Sequence, residues 1–174
     1  MALDYCDFNA SAAKAVAGKD ILLAVWNADA TKLLAVAGQQ TLTINRSADE
    51  IEVNTKDTAG GWKSKISGMK EWSIDNEGLY VADADSHKAL TEAFENSDPV
   101  CLVVCDIKAK KDLFGGIAYV TEYTLEAPYD DAMTYSASFS GNGALTDLSE
   151  EADPVMPEGY DEGTDEEEET EHNG

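Results

Sequence analysis

Apolar and polar positions alternate along most of this chain, most clearly over residues 38–82. Leu42 and Ile44 alternate with Thr41, Thr43 and Asn45. Ile51 and Val53 alternate with Glu50, Glu52 and Asn54, and Trp72 and Ile74 with Glu71, Ser73 and Asp75. Successive side chains of a strand point to opposite faces, so a period of two predicts strands with one buried face. A polar loop holding Gly60, Gly61 and Trp62 interrupts them and contains no group suited to catalysis.

The same reading extends to both sides. ILLAVW (21–26) reads as a buried strand, Asn27-Ala-Asp-Ala as a turn and LLAVA (33–37) as the returning strand of a hairpin ended by Gly38. Ala89, Leu90, Ala93 and Phe94 have the spacing of one apolar helical stripe, with a start at Asp83-Ala-Asp-Ser and a stop near Asn96, ahead of Asp98-Pro99. Residues 100–108 and 113–125 predict a second hairpin, in which Gly115-Gly116 marks a bulge or a close backbone approach. Residues 132–139 place Met133, Tyr135, Ala137 and Phe139 on one face. Thr134, Ser136 and Ser138 form a hydroxyl-rich opposite face that suits subunit contact as well as it suits solvent. Gly141-Asn-Gly143 reads as a turn, and ALTDL closes the domain. The Ala-rich first 18 residues fit a short helical turn or an extended arm.

Charge changes the picture in two ways. The chain carries 35 Asp and Glu against 12 Lys and Arg, a formal charge of -23, with Arg46 its one arginine. Such a surface repels nucleic-acid phosphates and anionic membranes, and neither a signal peptide nor an apolar run of spanning length is read. From Glu150 onward there are twelve acids and no Lys or Arg, so residues 150–174 predict a tail unable to order itself. The remainder still holds 23 acids against 12 bases.

Candidate chemistry is sparse. His87 lies in the first helical turn and His172 in the acidic tail, neither placed beside a nucleophile. Asp83, Asp85 and His87 could be imagined as metal ligands, but a helix cap uses the same residues. Asp130-Asp131 reads as a surface turn, with weak calcium binding as the other option. Cys101 and Cys105 are four residues apart in a strand, about 13 Å at roughly 3.3 Å per residue, and read as buried thiols beyond disulfide reach. No catalytic or phosphate-binding motif occurs, so neither enzyme activity nor a cofactor is expected. Trp62 after two glycines either folds back on its own domain or inserts into a neighbour. Lys56, Lys63 and Lys65 put three of the 12 basic residues beside it on an otherwise acidic chain, a dipolar arrangement favouring head-to-tail self-association.

Several stretches taken in order carry a resemblance: residues 37–53, Thr55-Lys-Asp with Gly60-Gly-Trp-Lys, Gly68-Met-Lys-Glu-Trp-Ser-Ile-Asp, the helix ending Ala93-Phe-Glu-Asn, and Ala127-Pro-Tyr-Asp-Asp-Ala-Met-Thr-Tyr-Ser. Over roughly residues 20–148 the chain resembles the phage major tail protein family, the tail tube proteins of long-tailed bacteriophages. The resemblance implies a mainly β, sandwich or barrel-like domain (21–149) with one flanking helix, a long inter-strand loop and an N-terminal arm (1–20), ahead of the acidic tail (150–174). It implies hexameric rings stacked into a virion tube assembled in the host cytoplasm. Expected partners are further copies of itself and other tail proteins: the tape measure, the tail tip or initiator, and the terminator. DNA passes through the bore without specific binding. Subunit and ring contacts are expected from the long loop (Thr55, Lys56, Asp57, Gly60, Gly61, Trp62, Lys63, Lys65) and from the arm (Asp4, Tyr5, Phe8). Acidic residues are expected to line the bore. The alternatives are the inner tube of a contractile tail or injection system and a monomeric virion module for adhesion or carbohydrate binding.

Overall fold

The computed structural model describes residues 15–53, 61–150 and 153–160. After a single 3-10 turn at Gly18–Asp20, the strands β1 (Ile21–Trp26), β2 (Leu33–Ala35), β3 (Gln39–Glu52) and β4 (Lys65–Leu79) precede the helix α1 (Asp85–Asn96). β5 (Val100–Asp106), β6 (Lys111–Glu126) and β7 (Thr134–Asp147) follow it. All seven strands join one antiparallel sheet in the order β2-β1-β5-β6-β7-β4-β3, so two separate sandwiched sheets are not formed. The sheet curls until its ends meet. The Gln39 side chain, at the start of the β3 edge, accepts from the Leu23 N–H of β1 at 2.8 Å and donates to the Leu23 and Val36 carbonyls at 3.0 Å each.

Side-chain acceptors build the tight turns. Asn27 Oδ1 accepts from the Thr31 and Lys32 amides in the β1–β2 turn, and Asp106 Oδ1 from the Lys108 and Ala109 amides in the β5–β6 turn. The expected cap at the start of α1 is different: the capping position is Ala84, with no side-chain bond, so Asp83 and Asp85 do not cap the helix. Its end is ordinary, with Ser97 left-handed and the Asp98 amide returning to the Ala93 carbonyl at 2.9 Å.

One face of the sheet carries the main core. Leu90 and Ala93 of α1 join Leu23, Val25, Leu102, Val104, Ile74 and Phe139, whereas Phe94, expected in the same stripe, is exposed. Trp72 lies in this core and fixes two glycines. A Cβ added at Gly116 would come within 2.7 Å of its ring, and one at Gly141 within 2.1 Å. The indole N–H donates to the Gly143 carbonyl at 2.9 Å. The expected close approach at Gly115-Gly116 is therefore present, together with a register shift between Gly115 and Ile117. The expected turn at 141–143 is not: β7 runs through it without reversing, with Gly141 leaving room for the indole from β4 and the Gly143 carbonyl accepting from it. Arg46 covers the rim of this core, its guanidinium 4.4 Å from the Phe114 ring centre.

On the opposite face a smaller cluster buries Ala24, Leu33 and Val103 beside Trp26 and Leu148. Residues 153–160, which composition assigned to a disordered tail, pack onto the domain with Met156 and Pro157 buried. Proline and methionine supply the apolar surface that the surrounding acids dilute in a composition count.

Candidate assembly surfaces

Two features stand out on the described surface, a polar wall and a projecting ribbon. The wall follows from strand register, since partners across an antiparallel pair share a face. One row crosses four strands as Thr43, Asp75, Ser138 and Glu122, and the next as Thr41, Glu77, Ser136 and Thr124. Alternate rows face the core, for example Ile44, Ile74, Phe139 and Val120. The wall thus carries carboxylates and hydroxyls and no Lys or Arg in either row. Neutral donors hold its acids: Ser138 Oγ and Asn45 Nδ2 donate to the two oxygens of Asp75 at 2.8 and 3.0 Å, and Thr124 Oγ1 donates to Glu122 at 3.1 Å. Nearby, Ser47 Oγ donates to Glu71 at 2.9 Å. Hydroxyl and amide donors leave the negative charge in place while fixing the carboxylates against the sheet, whereas lysines would cancel it.

The ribbon is the outer half of the β3–β4 hairpin. Pairing of β4 with β7 ends at Ser73, so Lys65–Trp72 of β4 has β3 as its one strand partner. Between the pairs Ala48–Lys70 and Glu50–Ser67, β3 advances two residues and β4 three. That extra β4 residue lets the pair Ile51–Ile66 share the face of the wall, opposite the core side that Leu42 and Ile44 occupy. Ile51 and Val53, expected on a buried face, are consequently exposed, together with Ile66 and Met69. Covering Ile51, Val53 and Ile66 would contribute on the order of 5 kcal/mol. The ribbon thus presents an exposed apolar strip.

Of the residues singled out in the loop, Gly61, Trp62, Lys63 and Lys65 are described. Trp62 is 82% exposed, so it does not fold back on its own domain. Gly61 has a φ of 70° in open space. Lys63 and Lys65 pair with Glu52 and Glu50 across the ribbon, which cancels locally the positive pole expected there. Such exposed pairs contribute about 1 kcal/mol or less. Thr55, Lys56, Asp57 and Gly60, and Asp4, Tyr5 and Phe8, lie outside the described residues.

His87 had a role the sequence hid. It is buried, and its Nε2 lies 2.9 Å from the Ala37 carbonyl, which can only accept. Nε2 therefore donates, leaving Nδ1 to accept from the Tyr123 hydroxyl at 2.8 Å in a neutral ring. Burial holds its pKa below the ordinary value, and both nitrogens are spent joining α1 to the sheet. Beside it the Tyr135 hydroxyl donates to buried Asn76 at 2.6 Å. Cys105 is a buried thiol pushed up to about 12 by burial and by Asp112 and Asp106, whereas Cys101, also expected buried, is exposed. Asp131 accepts from the Ala132 amide at 2.7 Å in an exposed turn. Among the described residues, no helix is long and apolar enough to cross a membrane.

A family model described as phage tail tube protein matches residues 15–147. No curated protein matches the chain. Among solved structures, the tail of an empty GTA (gene transfer agent) particle refined with C6 symmetry is 21% identical, covering 76% of this chain and 98% of that one, with a TM-score of 0.69. The SPP1 tail tube is 19% identical over 78% of this chain and 80% of that one, with a TM-score of 0.62. The sheath-tube complex of an extracellular contractile injection system gives 10% identity, 82% and 99% coverage and a TM-score of 0.51.

Proposed function

The chain belongs to the phage tail tube protein family, and we propose that it is the repeating subunit of a virion tail tube, closing into hexameric rings that stack around a passage for DNA. The match over residues 15–147 carries this reading, and the C6 symmetry of the similar GTA tail supports the ring number. Its chemistry is structural, with no reaction and no cofactor. Its partners are sister copies and other tail proteins, namely tape measure, tip or initiator, and terminator, and assembly takes place in the host cytoplasm.

The wall of Thr43, Asp75, Ser138 and Glu122 and its neighbouring row faces the bore, where fixed carboxylates repel the DNA backbone and let it slide. The ribbon with Trp62 covers its apolar strip on the next copy, together with Thr55, Lys56, Asp57 and Gly60 of the loop and Asp4, Tyr5 and Phe8 of the arm. Electron microscopy of the purified chain with its tail tip complex tests the assembly: stacked rings are expected, and a chain that stays solitary overturns it. Glu77→Lys with Glu122→Lys tests the wall. Tubes of normal length with slowed DNA release are expected, and unchanged release removes the wall from the bore.

The fold shared with the contractile injection system's sheath-tube complex supports a second reading, the inner tube of a contractile tail. A sheath copurifying with the tubes would establish it.

A further inference from the structure

The two edges of the sheet are treated differently. β3 has β4 as its one strand partner and meets β1 through the Gln39 side chain at its start, whereas the three-residue edge at β2 is covered by residues 153–160. The Glu158 amide donates to the Leu33 carbonyl on β2 at 2.8 Å, and the Glu158 carboxylate pairs with Lys32 at 2.9 Å. Three residues earlier the Val155 amide donates to Asp112 Oδ2 on β6 at 3.2 Å. β1 and β5 lie between β2 and β6, so the segment runs across both strands on the face away from α1. Met156 and Pro157, between the two anchors, are buried. On that face lie Ala24 of β1 and Val103 of β5, both buried without help from the helix. The segment lies beyond the residues matched by the family model.

An uncovered edge is a template for pairing with another chain; the shortness of β2 limits this by itself, and what remains to be covered is the apolar face beside it. A head-to-tail contact from the β3 edge of one copy onto the β2 edge of another is heterologous, and grows into an open chain wherever its rotation does not close a ring. We propose that residues 153–160 are an edge guard: they withhold the β2 edge and the Ala24–Val103 face from sister copies, so that self-association proceeds through other surfaces, the β3–β4 ribbon among them. This rests on the reading of the chain as a self-assembling subunit and adds a control that the tube fold alone does not require.

Three variants test it by size-exclusion chromatography with light scattering and by thioflavin fluorescence, without tail tip complex. One ends at Leu148 and lacks the guard, one ends at Tyr160 and keeps it, and the third, Glu158→Pro, lacks the amide that bonds β2 and the carboxylate that pairs with Lys32. The chain ending at Tyr160 is expected to stay as monodisperse as the full chain. Glu158→Pro and the chain ending at Leu148 are expected to shift to larger, thioflavin-positive species, with the truncation shifted further. Glu158→Pro leaves Met156 and Pro157 in place and so keeps the test open if the truncation does not fold. A folded Glu158→Pro chain as monodisperse as its parent overturns the guard, as does a folded Leu148 truncation that melts earlier without associating. Failure of the full chain to form tubes on a tip complex counts against the tube reading alone, because the guard is scored without initiation.

Discussion

At the scale of single residues, the buried contacts decide what each side chain can tolerate. His87 is neutral in the fold and ordinary in the unfolded chain, so the unfolded state binds more protons once the pH drops below about 6.5. Folding stability should therefore decline from there downward and level off beneath the depressed folded value. A His87→Gln variant should be less stable at pH 7.5 and lose less on acidification. Urea midpoints at several pH values check this, and parallel profiles for the two proteins would contradict it. Tyr80, Tyr123 and Tyr135 surround the ring, with no carboxylate among them to stabilise a cation. Gly141 makes the second case. Gly141→Ala sets a methyl into the Trp72 ring and should cost about 1–3 kcal/mol or more, read as a lower denaturation midpoint. Gly-Asn-Gly reads locally as a turn, but these glycines answer to an indole some seventy positions away in the sequence. No local rule contains that cause, whereas Gly115-Gly116 was legible because paired glycines inside an apolar run have few other uses.

Among the elements, most strands were legible because one face lies in the core, β1 and β5 because both faces are buried and they read as continuous apolar runs, and α1 because Leu90 and Ala93 keep helical spacing. The ribbon was only half legible. Its alternation is plain, but the apolar parity switches from even at Leu42 and Ile44 to odd at Ile51 and Val53, so one face cannot bury both pairs in a regular strand. That switch was the available signal that the hairpin's outer half serves a different surface from its base. Ile51→Lys with Ile66→Glu, an opposite-charge cross-strand pair, should consequently leave monomer stability within about 0.5 kcal/mol, as for other exposed sites, while abolishing growth of tubes on a tip complex. A thermal melt and electron microscopy separate the two effects. A melt lowered by several degrees would mean that the strip packs within its own chain, and normal tubes would mean that no copy covers it. Trp62→Ala should act in the same direction, since an indole this exposed contributes nothing to its own domain.

At the scale of the whole molecule, charge opposes association while apolar cover favours it, and their balance depends on salt. A formal charge of -23 makes any two copies repel, and the wall adds carboxylates with no lysine among them. The screening length falls from about 30 Å at 0.01 M salt to about 8 Å at 0.15 M, a change that weakens repulsion across a subunit's width but leaves buried apolar contacts intact. Growth on a tip complex should therefore accelerate steeply over that range. A chain ending at Tyr160, relieved of eight acids, should accelerate less and start faster at low salt. Light scattering of initiated tubes at graded salt measures both slopes. Equal slopes would place the acids of residues 161–174 away from the growing end, leaving the net charge of the folded domain as the source of the repulsion.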